Sequence, residues 1–221
     1  MTKDQKPTTL DDYVVNIANI EDEQPAGSMA IYNDKPSFTA DDITPPMIRL
    51  AQGLTQEVQS GTAKPGQWLI PGCEPFDSVT VVPLMFAKRR ENRDDEGHVL
   101  CMSNDSIHGI GDPGGSCEQC VKNQWVNKDK GKNTPPECTF IYSYIVYAVE
   151  ADTNVLLQFK RTSIGIGRMM NAMVAQHGFR NVAISLESNQ SSGKKGTYFM
   201  PKIAPISGEK ASEALLALQG R

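Results

Sequence analysis

Four cysteines spaced Cys101-x15-Cys117-x2-Cys120-x17-Cys138 constrain this chain more than any other feature. The stretch that holds them, residues 101–138, is rich in Gly, Asp and Lys and has almost no hydrophobic periodicity, so it cannot build a core alone. A Cys-x2-Cys pair places two thiolates on one tight knuckle, a bite that suits tetrahedral Zn²⁺ with Zn–S near ~2.3 Å. One structural zinc held by Cys101, Cys117, Cys120 and Cys138 is the expectation, and metal binding of this kind supplies on the order of 10 kcal/mol of folding energy. Alternatives stay open. His108 could replace Cys101, and an iron–sulfur cluster uses the same ligands. A redox Cys-x2-Cys usually follows a strand and opens a helix, whereas CEQC follows GDPGGS in an unpatterned loop. Cys73 sits upstream in a Pro/Gly turn and reads as a free thiol.

The flanks of this stretch are patterned. SVTVVPLMFAKRREN, starting near Val79, is β-rich, and Pro83 argues for an edge or a bulge. TFIYSYIVYAV (139–149) reads as the strongest strand, and VLLQFKR as its hairpin partner after a turn at 150–154. TSIGIGRMMNAMVAQHG reads as a helix, capped by Thr162 or Ser163 and stopped at Gly178, with two early glycines weakening its first turn. VAISLES and GTYFMPKIAPI follow as strands joined by the polar loop NQSSGKK, and the tail forms a last amphipathic helix. Upstream, Ile48, Ala51, Leu54 and Val58 predict a short helix over 46–60. Five strands with one helix between the third and fourth is the order of an OB-fold barrel. The expected fold is mainly β: a five-stranded OB-fold barrel, a zinc-binding insert at 98–138 between strands 1 and 2, and short flanking helices. The domain spans 46–206, with 207–221 as a C-terminal helix or tail.

Charge divides the chain. The net charge is −4, but residues 1–45 carry nine acidic and three basic residues, a net of −6, which leaves +2 for the remainder. With Pro and Gly between the acidic runs, 1–45 reads as a solvated arm. It either aids solubility or competes with nucleic acid and recruits partners. Hydrophobic residues reach 39%, enough for a core, and no apolar run approaches the ~20 residues of a membrane helix. No signal-peptide pattern opens the chain, so a soluble intracellular protein is expected. GxxxxGK[ST], HExxH, GxSxG and a deaminase-type His-x-Glu are all missing, so an enzyme is not expected.

Cations cluster after position 46. Lys88, Arg89, Arg90 and Arg93 end the first strand, and Lys160 and Arg161 end the third. Lys194 and Lys195 lie on the last hairpin, and further lysines populate the insert. In the OB order these positions approach the two loops that hold oligonucleotides. Bases need aromatic faces, at ~1–3 kcal/mol per stacked base. Phe140, Tyr142 and Tyr144 alternate along the second strand, and Trp125 follows the Cys-x2-Cys. The same aromatics also fit a core, Trp125 a pack on the knuckle, and the lysines plain solvation.

The runs CMSNDSIHGIGDPGGSCEQCVKNQW…PPEC and PPMIRLAQGLTQEVQSGTAKPGQW resemble a group of tailed-bacteriophage single-stranded DNA-binding proteins, over about residues 45–205. The arrangement is similar in concept to the helix-destabilising protein of T-even phages, an OB fold with a zinc site. The resemblance implies Cys101 as the first ligand. It also implies single-stranded DNA as partner, together with phage replication or recombination proteins, in the cytoplasm of the infected bacterial host. Such proteins commonly end in an acidic tail, whereas this chain ends LLALQGR and carries its acidic segment at the start. Two other roles fit the residues: a zinc-ribbon module docking on a phage replication or transcription protein, and a virion component stapled by zinc.

Overall fold

The computed structural model describes residues 46–128, 132–193 and 196–219. The acidic segment 1–45 and the cations Lys194 and Lys195 lie outside them. The described residues all belong to the unit that begins at Pro46.

A long strand organises the sheet. Its β-branched start, VTVV, opens β3 (Val79–Arg93), which follows two short strands, β1 (Arg49–Leu50) and β2 (Trp68–Leu69). Pro83 cannot donate a ladder hydrogen bond. The ladder shifts register between Pro83 and Met85, as the proline led us to expect. On one side β3 pairs antiparallel with β9 (Thr139–Ala148), from Val81 opposite Ala148 to Glu91 opposite Thr139. On the other side it is shared. Its start pairs with β11 (Ile184–Gly193), and its end with β4 (Val99–Ser103). β9 turns into β10 (Thr153–Lys160), and β11 into β12 (Gly196–Pro205), both antiparallel. The main order is β10-β9-β3-β11-β12. The molecule is mainly β, with one large antiparallel sheet and few helices.

The barrel is not closed among the described residues, because no ladder joins β10 to β12. The segment before β2 bridges the seam instead. Ile48 N–H donates to Leu156 O (3.1 Å), and Leu156 N–H to Pro46 O (2.8 Å), along the free edge of β10. On the other side the Gln52 amide grips β12. Its Nε2 donates to Phe199 O and its Oε1 accepts from Phe199 N–H, both at 2.9 Å. The helix expected over 46–60 is therefore confined to one turn, α1 (Gln56–Gln59). Extended pairing with β10 and β2 satisfies the backbone ahead of it, and Leu54 is left 91% exposed.

Helix α2 (Ile164–His177) crosses between β10 and β11 and buries Met170 and Val174 in the main core. Gly167, which weakens the helix on propensity, has a packing reason. A Cβ there would come 2.7 Å from the Tyr142 ring and 2.9 Å from Phe159 Cβ. Helix α3 (Glu209–Gln219) buries Ala214 against Val82, Tyr147 and Ala183 on the sheet's other face. β9 is buried on both faces from Ile141 to Ala148. The loop expected at 189–195 is shorter in fact. Asn189–Gly193 continue β11, paired as far as Gly193 opposite Gly196, so the polar residues ride on a two-stranded ribbon.

Candidate metal centre and basic surface

The stretch between β3 and β9 folds as short pieces. After β4 come β5 (His108–Gly111), β6 (Gly115–Ser116), a 3-10 turn (Val121–Asn123), β7 (Val126–Lys128) and β8 (Lys132–Thr134). Cys101 lies on β4, opposite Gly111 of β5. Cys117 follows β6, and its N–H donates to Ile107 O (2.8 Å). Cys120 opens the 3-10 turn, and its carbonyl accepts from Asn123 N–H (3.0 Å). Cys138 is tied just ahead of β9, its N–H donating to Lys122 O (2.9 Å).

All four cysteines line one cavity of about 20 Å³. That is room for a single small occupant, since one water needs roughly 10–15 Å³. The lining holds no carboxylate and no histidine. His108 is exposed instead and reaches only towards Asp105, at 3.8 Å. Cys73 is exposed and lines no part of the cavity. No three of the four sulfurs lie within 4.8 Å of one another, whereas in a closed tetrahedral set they stand about 3.8 Å apart. Among the described residues, the group of three or more ligand-type side chains with atoms all within 4.8 Å is Asp94, Glu96 and His98, in the β3–β4 turn. That trio is accounted for as turn chemistry: Asp94 accepts from the His98 backbone (2.7 Å) and meets its ring (3.0 Å).

Two glycines in the insert are dictated by space. A Cβ on Gly109 would come 2.9 Å from Cys101 Sγ, and one on Gly111, at φ +109°, 2.1 Å from Leu100 O. The β4–β5 connection is fixed by Asp105, which accepts from Ser103 Oγ and from the backbone N–H groups of Ile107 and His108. Those backbone bonds, His108's first, hold its carboxyl far below the usual carboxylate range. Burial pushes the Cys138 thiol up, the Arg90 guanidinium opposes this, and the nearness of Cys117, Cys120 and Cys101 adds to it.

Arg90, expected to contact DNA, is engaged within the fold. It lines the cysteine cavity, lies 4.9 Å over the Phe140 ring, and donates to Asn123 Oδ1. Asn123 Nδ2 in turn donates to Cys117 O (2.8 Å). An Arg90–Asn123–Cys117 strut thus ties the sheet to the knuckle. Nothing in the spacing pointed to it, since Asn123 is one polar residue among several. Arg93 is likewise engaged, with Glu91 (3.0 Å) and Gly97 O (2.7 Å). Burial pushes the Glu91 carboxyl up, but Arg93, Lys160 and Arg89 outweigh it and hold it below its usual range.

The remaining expected contacts divide. Tyr142 (9% exposed) and Tyr144 (1%) belong to the main core, and Tyr144 donates its hydroxyl to Asn171. Burial pushes the Tyr144 hydroxyl well above the usual range. Their rings meet Phe86, Phe140 and Phe159 in tilted and edge contacts within the core. Trp125 is 65% exposed. Lys88 and Arg161 are exposed and Arg89 is half-buried, and none of the three has an ion pair among the described residues. Arg89 and Lys160 both register with Ile141 from either side of β9, so they share one face of the sheet. Lys160 stands 3.8 Å from Glu91. No helix among the described residues is long and apolar enough to cross a membrane. Comparison of the chain with protein-family models, with curated proteins and with solved structures returns no match.

Proposed function

We propose that this chain is a zinc-containing single-stranded DNA-binding protein of OB type, a binding protein and not an enzyme, acting in phage replication or recombination in the host cytoplasm. The observation that carries the reading is the strand order β10-β9-β3-β11-β12, with α2 between β10 and β11. Numbered from β3, this is the order of an OB sheet before closure. The cysteine stretch then falls in the loop between its first two strands, one of the two that hold oligonucleotides. Cys101, Cys117, Cys120 and Cys138 would hold one zinc as thiolates, and the ion would supply rigidity to that loop. Lys88, Arg89, Lys160 and Arg161 would meet phosphates, with Trp125 offering a face to a base. Arg90 and Arg93 are occupied within the fold, and Tyr142 and Tyr144 are enclosed.

A salt titration tests this. Fluorescence anisotropy of labelled oligo-dT should show affinity falling with salt, and a matched duplex should bind more weakly. Replacing Lys88 and Arg89 together by Ala should flatten the salt slope by about one unit for each phosphate no longer neutralised. No oligo-dT binding at low salt would end the proposal. A second reading has its own support. The insert exposes Val99, Leu100, Ile107, Ile110, Val121 and Trp125, a surface suited to a protein partner. It predicts no oligonucleotide affinity and a stable complex with one phage protein.

A further inference from the structure

The seam between β10 and β12 borders an open cleft of about 390 Å³, which shares no lining residue with the cysteine site. That volume lies within the roughly 300–1,000 Å³ of ligand clefts. Its walls are apolar: Ile48, Leu50 and Leu157 on one side, Phe199, Met200 and Pro201 on the other. Its polar lining includes Arg49, which pairs with Glu57, together with Gln158, Lys160 and Thr162, and no carboxylate. Trp68 is the decisive residue. It is 2% exposed and lines the cleft, and its buried indole N–H has no acceptor. A buried donor without a partner is costly, so such a group needs an explanation. Much of the neighbouring polar capacity is already used. The Gln52 amide is bonded to Phe199, and Ser163 Oγ to Lys160 N–H and O.

We infer that this cleft takes one unstacked nucleotide of a bound single strand, with the base inside and its phosphate towards Lys160 at the mouth. The inference rests on the DNA-binding reading and deepens it. A nucleobase has flat apolar faces for Phe199, Met200 and Pro201, and edge carbonyls or ring nitrogens that would accept from the covered Trp68 N–H once the side chains over it part. Lys160 and the adjoining Arg161, both exposed, supply cations for the backbone.

The full-length chain with Trp125→Phe leaves Trp68 as the only tryptophan. Its emission should change saturably with oligo-dT, in step with anisotropy. In the natural chain, Trp68→Phe removes the donor together with part of the ring and should weaken oligo-dT binding roughly three- to tenfold. Thr162→Phe, at the exposed rim, should obstruct the mouth and weaken it about tenfold or more, the worth of one stacked base. That second penalty should vanish on an abasic strand of equal length. Wild-type binding that both variants retain, with unchanged melting curves, overturns the cleft while leaving the DNA-binding reading intact. An equal penalty on the abasic strand overturns the placement of the base. No binding by the wild type ends the DNA-binding reading itself.

Discussion

The sheet and the cysteine insert solve the same problem with opposite materials. In the sheet the interior is apolar: Tyr144, Val146, Leu157, Phe159, Met170, Ile184 and Leu186 are all buried together. In the insert most large apolar side chains are exposed, and the cavity is lined by the four thiols, Arg90, Lys122 and the polar Asn92, Ser103 and Asn123, with Met102 beside them. Burial of apolar area yields about 25 cal/mol per Å², so the sheet holds itself. The insert has no such resource. Its turns are set by glycines and by Asp105, but what binds its pieces to one another must come from the cavity. One region should therefore ignore chelators, and the other should depend on metal.

The largest expected effect follows directly. The purified chain should carry one zinc, and chelation should abolish hydrogen-exchange protection across 98–138 while β9 and β10 stay protected. Cys138→Ser should do the same, because the ion is worth on the order of 10 kcal/mol to such a site. Equal protection with and without zinc, or a metal content unaffected by the loss of Cys138, breaks the comparison.

The converse change is next in size. Phe159→Ala empties part of the core and should cost about 3–5 kcal/mol, read as a lower urea midpoint. Zinc content should remain at one ion per folded chain. Loss of zinc from molecules whose sheet is still folded would show that the two regions are not separately held.

A smaller effect belongs to the insert alone. Gly109→Ala places a methyl 2.9 Å from Cys101 Sγ. Overpacking of this kind costs about 1–3 kcal/mol. It should appear as faster zinc loss to a competing chelator, with the urea midpoint of the sheet unchanged. A Gly109→Ala protein that keeps its zinc as well as the natural chain would place Cys101 outside the ligand set.

How legible each region was follows from the same contrast. Period-2 patterning and β-branched residues mark a strand wherever it pairs, so β3, β9, β10 and the last hairpin were readable from sequence. α2 was readable from its apolar stripe and from Gly178, which ends it at φ +85°. The helix expected over 46–60 misled because Ile48, Ala51 and Leu54 fit a helix locally, while the edge of β10, a hundred residues away, bonds Pro46 and Ile48, and Gln67 beside β2 bonds Ala51, as extended chain. Tyr142 and Tyr144 were ambiguous because alternation tells which residues share a face but not which face is inside. In the insert, spacing named the four cysteines that share a cavity. It could not name Arg90 and Asn123, because a strut between distant segments leaves no periodic trace. The Trp68 cleft was hidden for a related reason: it exists only where β1, β10 and β12 meet.

That strut is where the comparison can be sharpened most finely. If the insert depends on metal and the sheet does not, the Arg90–Asn123–Cys117 link is what passes one condition to the other. A single hydrogen bond from a charged, half-buried arginine contributes about 1–2 kcal/mol. Asn123→Ala removes both of the bonds made by the asparagine side chain but none of the cysteines. It should leave zinc bound. The small drop in sheet melting temperature that chelation causes in the natural chain should shrink towards zero, because the sheet no longer senses the insert. A double-mutant cycle with Arg90→Ala should give an interaction energy of about 1 kcal/mol, within the range for directly bonded partners. Chelation that lowers the sheet's melting temperature equally in the natural chain and in Asn123→Ala would mean that coupling runs through the β3–β4 ladder instead, and that the two regions are one folding unit despite their different interiors.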